Sequence, residues 1–215
     1  ITWHTEWLTD SDPESAIGIV DVRRRKTGDG IEAVLFTPRE QRSFAHSTAV
    51  LDELGMTIID ARIVPLENNR SITTLVFMEQ DARVESDEAR INKVRRALTR
   101  ILTAPSDQVL SVTRGRPRQA RMFTTPTTVD FGLTAAGDQT VLELQAADRP
   151  GLLSTIGQVF IEQEIDIEAA KIVTIGEKAE DVFYVCRESG GALDAAAQEQ
   201  LGNALLERLG SGRDE

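Results

Sequence analysis

Between Val141 and Ala146 apolar and polar residues alternate, the pattern of a strand with one buried face. A few residues on, Leu152, Leu153, Ile156, Val159 and Phe160 recur at spacings of three and four and draw one apolar stripe along a helix. Pro150 suits the first position of that helix, where its missing N–H leaves no bond unmade. Residues 167–175 and 181–187, rich in Ile, Val, Phe and Tyr around Gly176, predict a hairpin. Leu193, Leu201, Ala204, Leu205 and Leu209 then predict a second amphipathic helix. The same order occurs earlier: strand 31–37, helix 42–54, strands 57–66 and 70–79, and helix 87–102 with its stripe through Ile91, Val94, Leu98 and Ile101. Segments 16–25 and 122–133 each predict a strand ahead of these elements; in the later one Phe123, Thr125, Thr127, Val129 and Phe131 share a face.

The recurrence is a duplication. Shifting the chain by 109 positions without gaps aligns residues 20–79 with 129–188 and gives 13 identities in 60 positions. Ordinary composition gives roughly 6%. The matching residues of the first copy are Val20, Asp21, Gly28, Asp29, Leu35, Val50, Glu53, Ile58, Ala61, Ile63, Val64, Val76 and Glu79. Each copy has most of a ferredoxin-like βαββαβ unit but lacks its last strand. The strand ahead of each Gly-Asp turn (Gly28-Asp29 or Gly137-Asp138) predicts an antiparallel hairpin that replaces it. The expected architecture is therefore α+β: two tandem ferredoxin-like units, each ββαββα, with an antiparallel sheet and two helices on one face. The expected organisation is a lead-in at 1–15, a first unit at 16–103, a linker at 104–120 and a second unit at 121–215. Apolar strand surface at Ile172, Val173 and Ile175 predicts association, between the two units or in a homodimer.

Composition narrows the function. The 215 residues are 40% hydrophobic, 27% charged and only 5% aromatic, so the chain can build an aliphatic core. A net charge of −11 repels phosphate and argues against nucleic acid and anionic membranes as partners. Two basic clusters, Arg23-Arg24-Arg25-Lys26 and the run Arg114, Arg116, Arg118 and Arg121, are expected to be solvated hairpin and linker residues. They lack the interleaved aromatics of a single-strand binding surface. The single Cys186 excludes a disulfide framework and fits a reducing, cytoplasmic setting; it is expected to be a small core residue. No apolar run approaches a membrane span and no signal peptide is visible. The chain begins with Ile1 rather than Met, and the expectation is a piece of a longer protein.

The segment with the most chemistry is Ala147-Asp148-Arg149-Pro150-Gly151-Leu152-Leu153, which joins a strand to a helix N-terminus. Unpaired backbone N–H groups and the helix dipole favour an anion there. Gly151 permits close approach, and Asp148 offers a carboxylate to an ammonium. Together these describe a clamp for a zwitterionic α-amino acid. The same residues also fit a plainer role, in which Asp148 caps the helix and Gly151 relieves packing. At the 109 offset the first copy has Arg39, Glu40, Gln41, Arg42 and Ser43, without the carboxylate, the proline or the glycine. The second copy is therefore expected to be the principal site of such a clamp.

Asp148-Arg149-Pro150-Gly151-Leu152-Leu153, with Gly157 and the strand Ala170-Lys171-Ile172-Val173, resembles the signature of ACT domains, ferredoxin-like modules that bind amino acids and regulate enzymes. The longer run Ala169–Phe183 resembles the C-terminal tandem ACT region of the bifunctional PII-protein uridylyltransferase/uridylyl-removing enzyme family, and Ile1-Thr2-Trp3-His4-Thr5 resembles the segment that leads into its first ACT domain. The resemblance implies an effector, glutamine or another small amino acid, bound by Asp148, Arg149, Pro150, Gly151, Leu152, Leu153, Lys171 and Ile172. It further implies that glutamine switches attached catalytic domains from attaching UMP to a PII signalling protein toward removing it, with magnesium serving the longer enzyme. This chain itself has neither a His-Asp dipeptide nor the nucleotidyltransferase carboxylate pattern, and His4 and His46 are expected to be structural or surface groups. No catalytic residue, metal site or cofactor is therefore expected within it. The competing expectation is a structural module for dimerisation or docking that binds no ligand.

Overall fold

Gly28 and Gly137 occupy the same place in the two copies, and both have left-handed backbone, with φ of 79° and 72°. Each closes the hairpin that opens its copy. The computed structural model describes residues 18–26, 28–38, 41–66, 70–79, 87–102, 125–175, 178–187 and 189–210. The first copy runs β1 (Ile19–Arg24), β2 (Ile31–Pro38), α1 (Gln41–Glu53), β3 (Met56–Leu66), β4 (Arg70–Glu79) and α2 (Asp87–Leu102). The second runs β5 (Thr128–Leu133), β6 (Thr140–Ala147), α3 (Leu152–Glu162), β7 (Ile165–Lys171), β8 (Thr174–Ile175), β9 (Lys178–Arg187) and α4 (Ala195–Gly210). The sheets have matching orders, β1-β2-β4-β3 and β5-β6-β9-β7, with β8 added beside β9 and every pairing antiparallel. Val20 pairs with Leu35 and Val129 with Leu144, so the opening strands do fill the place of the missing last strand.

The ladders test the duplication at residue level. β3 slips register between Ile58 and Asp60, and β7 slips between Ile167 and Ala169, a β-bulge repeated at the 109 offset. Beyond that point the offset changes. Ala61 pairs with Leu75 whereas Ala170 pairs with Phe183, so β9 matches β4 at an offset of 108. One residue is missing from the second copy between these strands. A side-chain period of two makes the slip decisive, because one residue moves every side chain to the other face. The Val76–Val185 match in the ungapped alignment is thus not a structural equivalence.

Three expected features change. Pro150 lies in the turn before α3, whose N-cap is Gly151, and is not the first helical residue. Leu193 precedes α4, buried, with its N–H donating to Thr140 Oγ1 at 2.9 Å. Asp194 caps that helix by accepting the Ala197 N–H at 2.9 Å, which holds its carboxyl below the usual carboxylate range. The hairpin expected over 167–175 is broken after Lys171, and the short β8 carries the turn into β9. The lead-in at 1–15, the linker at 104–120, Phe123 and Gly176 lie outside the described residues. Among the basic residues that are described, Arg23 is paired with Glu32 on the neighbouring strand at 2.9 Å.

The two copies share one core. Helix α1 packs on α3, and edge strand β3 lies beside edge strand β7 while the sheets stay separate. Phe44 of α1 meets Phe183 of β9 edge-on with ring centroids 6.1 Å apart, and Phe160 of α3 meets the same ring at 5.3 Å. The helices cross where Gly157 faces Ala45. A Cβ at Gly157 would lie 2.7 Å from the Ala45 Cβ and 2.8 Å from its Cα, closer than atoms can pack. Gly157→Ala should therefore cost about 1–3 kcal/mol of stability. Adding Ala45→Gly should recover part of that loss, although glycine in a helix costs roughly 1 kcal/mol by itself. Urea unfolding of both single variants and the double variant checks this; simple addition of the two losses would contradict it.

Candidate functional site

The loop from β6 into α3 is shaped by Gly151. Its φ of 79° suits glycine, so the first demand on this residue is conformational rather than room for a ligand. The Gly151 carbonyl accepts the Thr155 N–H at 2.9 Å, the Ser154 hydroxyl at 3.0 Å and the Thr155 hydroxyl at 2.7 Å. Leu152 N–H turns back to the Arg149 carbonyl at 3.1 Å. No side chain caps α3 from within the loop.

Asp148 is therefore not the cap. Its carboxyl is partly buried and takes the Arg149 N–H; burial pushes its pKa up, and that hydrogen bond opposes the shift. The Gly151 N–H instead donates to Asp52 Oδ2, a carboxylate from the C-terminal end of α1 in the other copy. An anion thus occupies the helix N-terminus, supplied by the protein itself.

A second carboxyl group lies in the sheet, opposite Leu144 of β6. Asp181 sits on the helix-facing side of β9 in line with Ala179, Phe183 and Val185, and is only 1% exposed. Its Oδ1 accepts the Val173 N–H at 3.3 Å, while no hydrogen-bond donor among the described residues reaches Oδ2. Desolvation pushes its pKa up to about 7; the Val173 N–H opposes the rise, and the nearby Asp148 carboxylate adds to it.

The loop residues Asp148, Arg149, Pro150, Gly151, Leu152 and Leu153 are contiguous, but they differ in what they present. Leu152 is buried in the core and Leu153 is partly buried against it. Lys171 is exposed at the end of β7, and Ile172 is buried in the core. The first-copy loop residues Arg39 and Glu40 lie outside the described residues, as does the side chain of Gln41. Cys186 is buried, with its thiol 3.4 Å from Glu168 Oε1. Asp52 and Asp181 were not among the expected site residues. Asp181 carried a signal, an acid at a core-facing position of an alternating strand. Asp52 carried none, because its role depends on how the copies pack. Among the described residues no three His, Cys, Asp or Glu side chains converge on a place for a metal ion.

Residues 140–203, which run from β6 into α4, match the ACT domain family. This second copy is an ACT domain within an α+β, ACT-like chain. Over its whole length the chain is 29% identical to the bifunctional uridylyltransferase/uridylyl-removing enzyme of Psychrobacter arcticus, covering 24% of that protein. It is 32% identical over 90% of its length to the enzyme of the same name from Acinetobacter baumannii, covering 22% of that protein. The chain thus corresponds to one ACT-containing region, about a quarter of the length, of the bifunctional uridylyltransferase/uridylyl-removing enzyme family. Among solved structures, aspartate kinase from Synechocystis aligns over 83% of this chain and 27% of its own at 14% identity, with a TM-score of 0.45. Among the described residues no helix is long and apolar enough to cross a membrane.

The raised pKa of Asp181 has a consequence for folding. In an unfolded chain an aspartate titrates near pH 3.9. Below that value the group is protonated in both states and contributes no pH dependence. Between about pH 4 and 7 the folded chain keeps a proton that the unfolded chain has released, so the stability this group supplies falls as pH rises. Asp148 acts in the same direction. Stability measured by urea at pH 5 and at pH 8 should fall for the parent, by on the order of a few kcal/mol at most for Asp181. Asp181→Asn should flatten the profile, and an unchanged profile would contradict the assignment.

Proposed function

We propose that this chain is a regulatory region of a uridylyltransferase/uridylyl-removing enzyme and that its second copy senses a small α-amino acid, glutamine by the resemblance, at the 148–153 loop. The observation that carries this reading is the carboxylate of Asp52 on the Gly151 N–H, because it marks the N-terminus of α3 as a carboxylate position. Asp148 lies in the same loop and supplies an acceptor for an ammonium. An α-amino acid carries both groups on one carbon. Its carboxylate would take the place of Asp52 at the helix N-terminus, and its ammonium would face Asp148.

On this reading the effector changes how the first copy engages the second. Displacing Asp52 removes a tie between α1 and the loop, and the response passes to catalytic domains elsewhere in the longer enzyme. Those domains would transfer UMP to a PII protein or remove it, with magnesium serving the longer enzyme. The described residues supply binding and coupling rather than chemistry. A cytoplasmic location follows from the same assignment.

Calorimetric titration of glutamine and the other amino acids into the 215-residue chain tests the reading. Glutamine should bind, and at a hundred times its dissociation constant it should add about 2.7 kcal/mol to stability. Asp148→Ala should weaken binding about ten- to a hundredfold, the worth of one charge-assisted hydrogen bond. Asp52→Ala should strengthen binding severalfold, since the effector no longer competes with an internal carboxylate. A flat response to every amino acid would favour a docking module without a ligand.

A further inference from the structure

We propose that Asp181 is a ligand-binding residue, and that its carboxyl group and that of Asp148 together cradle the cationic nitrogen of the effector. The inference rests on the amino-acid reading and extends it to a residue of strand β9. A carboxyl oxygen buried to 1% exposure without a donor is costly, and buried polar groups are nearly always paired. The fold does not require an acid at this position. With the 108-residue offset of β9, the equivalent of Asp181 in the first copy is Thr73, itself 3% exposed. The first copy therefore builds the same sheet with a neutral residue there, and it also lacks the Asp-Arg-Pro-Gly loop.

Position adds a second, independent line. Asp181 Oδ1 accepts the Val173 N–H at 3.3 Å, which ties the carboxyl to the segment after β7 that follows Lys171 and Ile172, and the charge of Asp148 helps to raise its pKa. Beyond Asp148 the chain turns into α3, whose first free N–H already holds a carboxylate. A carboxylate position lies at the start of α3, and the Asp148 and Asp181 carboxyl groups influence each other electrostatically. A cation between the two carboxyls relieves their repulsion and supplies the donor that Asp181 Oδ2 lacks. A primary ammonium, with three donors, suits two carboxyl groups at once. The ligand class is then an α-amino acid with a free amino group, and the amino group decides affinity.

The test compares L-glutamine with its deamino analogue, which keeps the carboxylate and the carboxamide but has no amino group. Both are titrated into the parent chain, Asp181→Asn and Asp181→Thr, the last copying the residue of the first copy. The parent should bind the analogue at least about tenfold more weakly than glutamine. Both variants should bind glutamine at least about tenfold more weakly than the parent, with a smaller preference over the analogue. Thermal melts without ligand confirm that the variants fold. Variants that keep the parent's affinity and its preference for glutamine would overturn the role of Asp181 and leave the amino-acid reading intact. A parent chain that binds neither compound would overturn both.

Discussion

The rest of the structure depends on the contact between Gly157 and Ala45. Backbones this close are possible only because one helix has no Cβ at the crossing and the other has nothing beyond it. The two helices run in opposite directions through that point, since Asp52 near the end of α1 meets Gly151 at the start of α3. The negative end of one helix dipole therefore lies against the positive end of the other. The same approach carries Phe44 onto Phe183 and sets β3 beside β7. A bulkier residue at position 157 would separate all of these at once. The hydrophobic core and the polar contact at the loop are two consequences of a single crossing.

The duplication is used asymmetrically. Both copies keep the hairpin, the bulge and the sheet order, which are the features that let each sheet form. They diverge where a ligand would be held. The second copy has the Asp-Arg-Pro-Gly loop and Asp181; the first has Thr73 in the sheet and contributes Asp52 from the far end of its helix. On the proposed reading, one copy forms the site and the other supplies an internal competitor for it. Such an arrangement links occupancy of the loop to the packing between copies, because the same N–H cannot serve both carboxylates fully. A ligand that binds there has a differential effect on the two arrangements, which is what a regulatory response requires.

Much of the fold was legible in the sequence because it follows from local periodicity. Val129 and Leu144, or Ile156 and Phe160, declare their faces within a few residues, and the Gly-Asp turns fix the hairpins. The β6–α3 loop was legible for the same reason, since strand, turn and helix start follow one another directly. Other features depend on contacts distant in sequence. Asp52 looks like one more exposed acid near a helix end until α1 is packed on α3. The missing residue between β7 and β9 was hidden by chance identities at Val185 and Glu188, and only the strand ladders make Asp181 the counterpart of Thr73 rather than of Ile72. Gly157 resembled a signature position, but its reason, the Ala45 backbone, lies in the other copy.

The central claim is that the N-terminus of α3 is the carboxylate position of an amino-acid site now occupied by Asp52. Amide NMR of the 15N-labelled chain during a glutamine titration tests it most directly, because the Gly151 N–H reports the identity of its acceptor. The account predicts a saturable shift of the Gly151 amide, accompanied by Arg149 and Val173, whose N–H groups serve Asp148 and Asp181, and by Asp52 as it is released. Saturable glutamine binding that leaves the Gly151 amide unmoved, with the shifts gathered elsewhere, would contradict it.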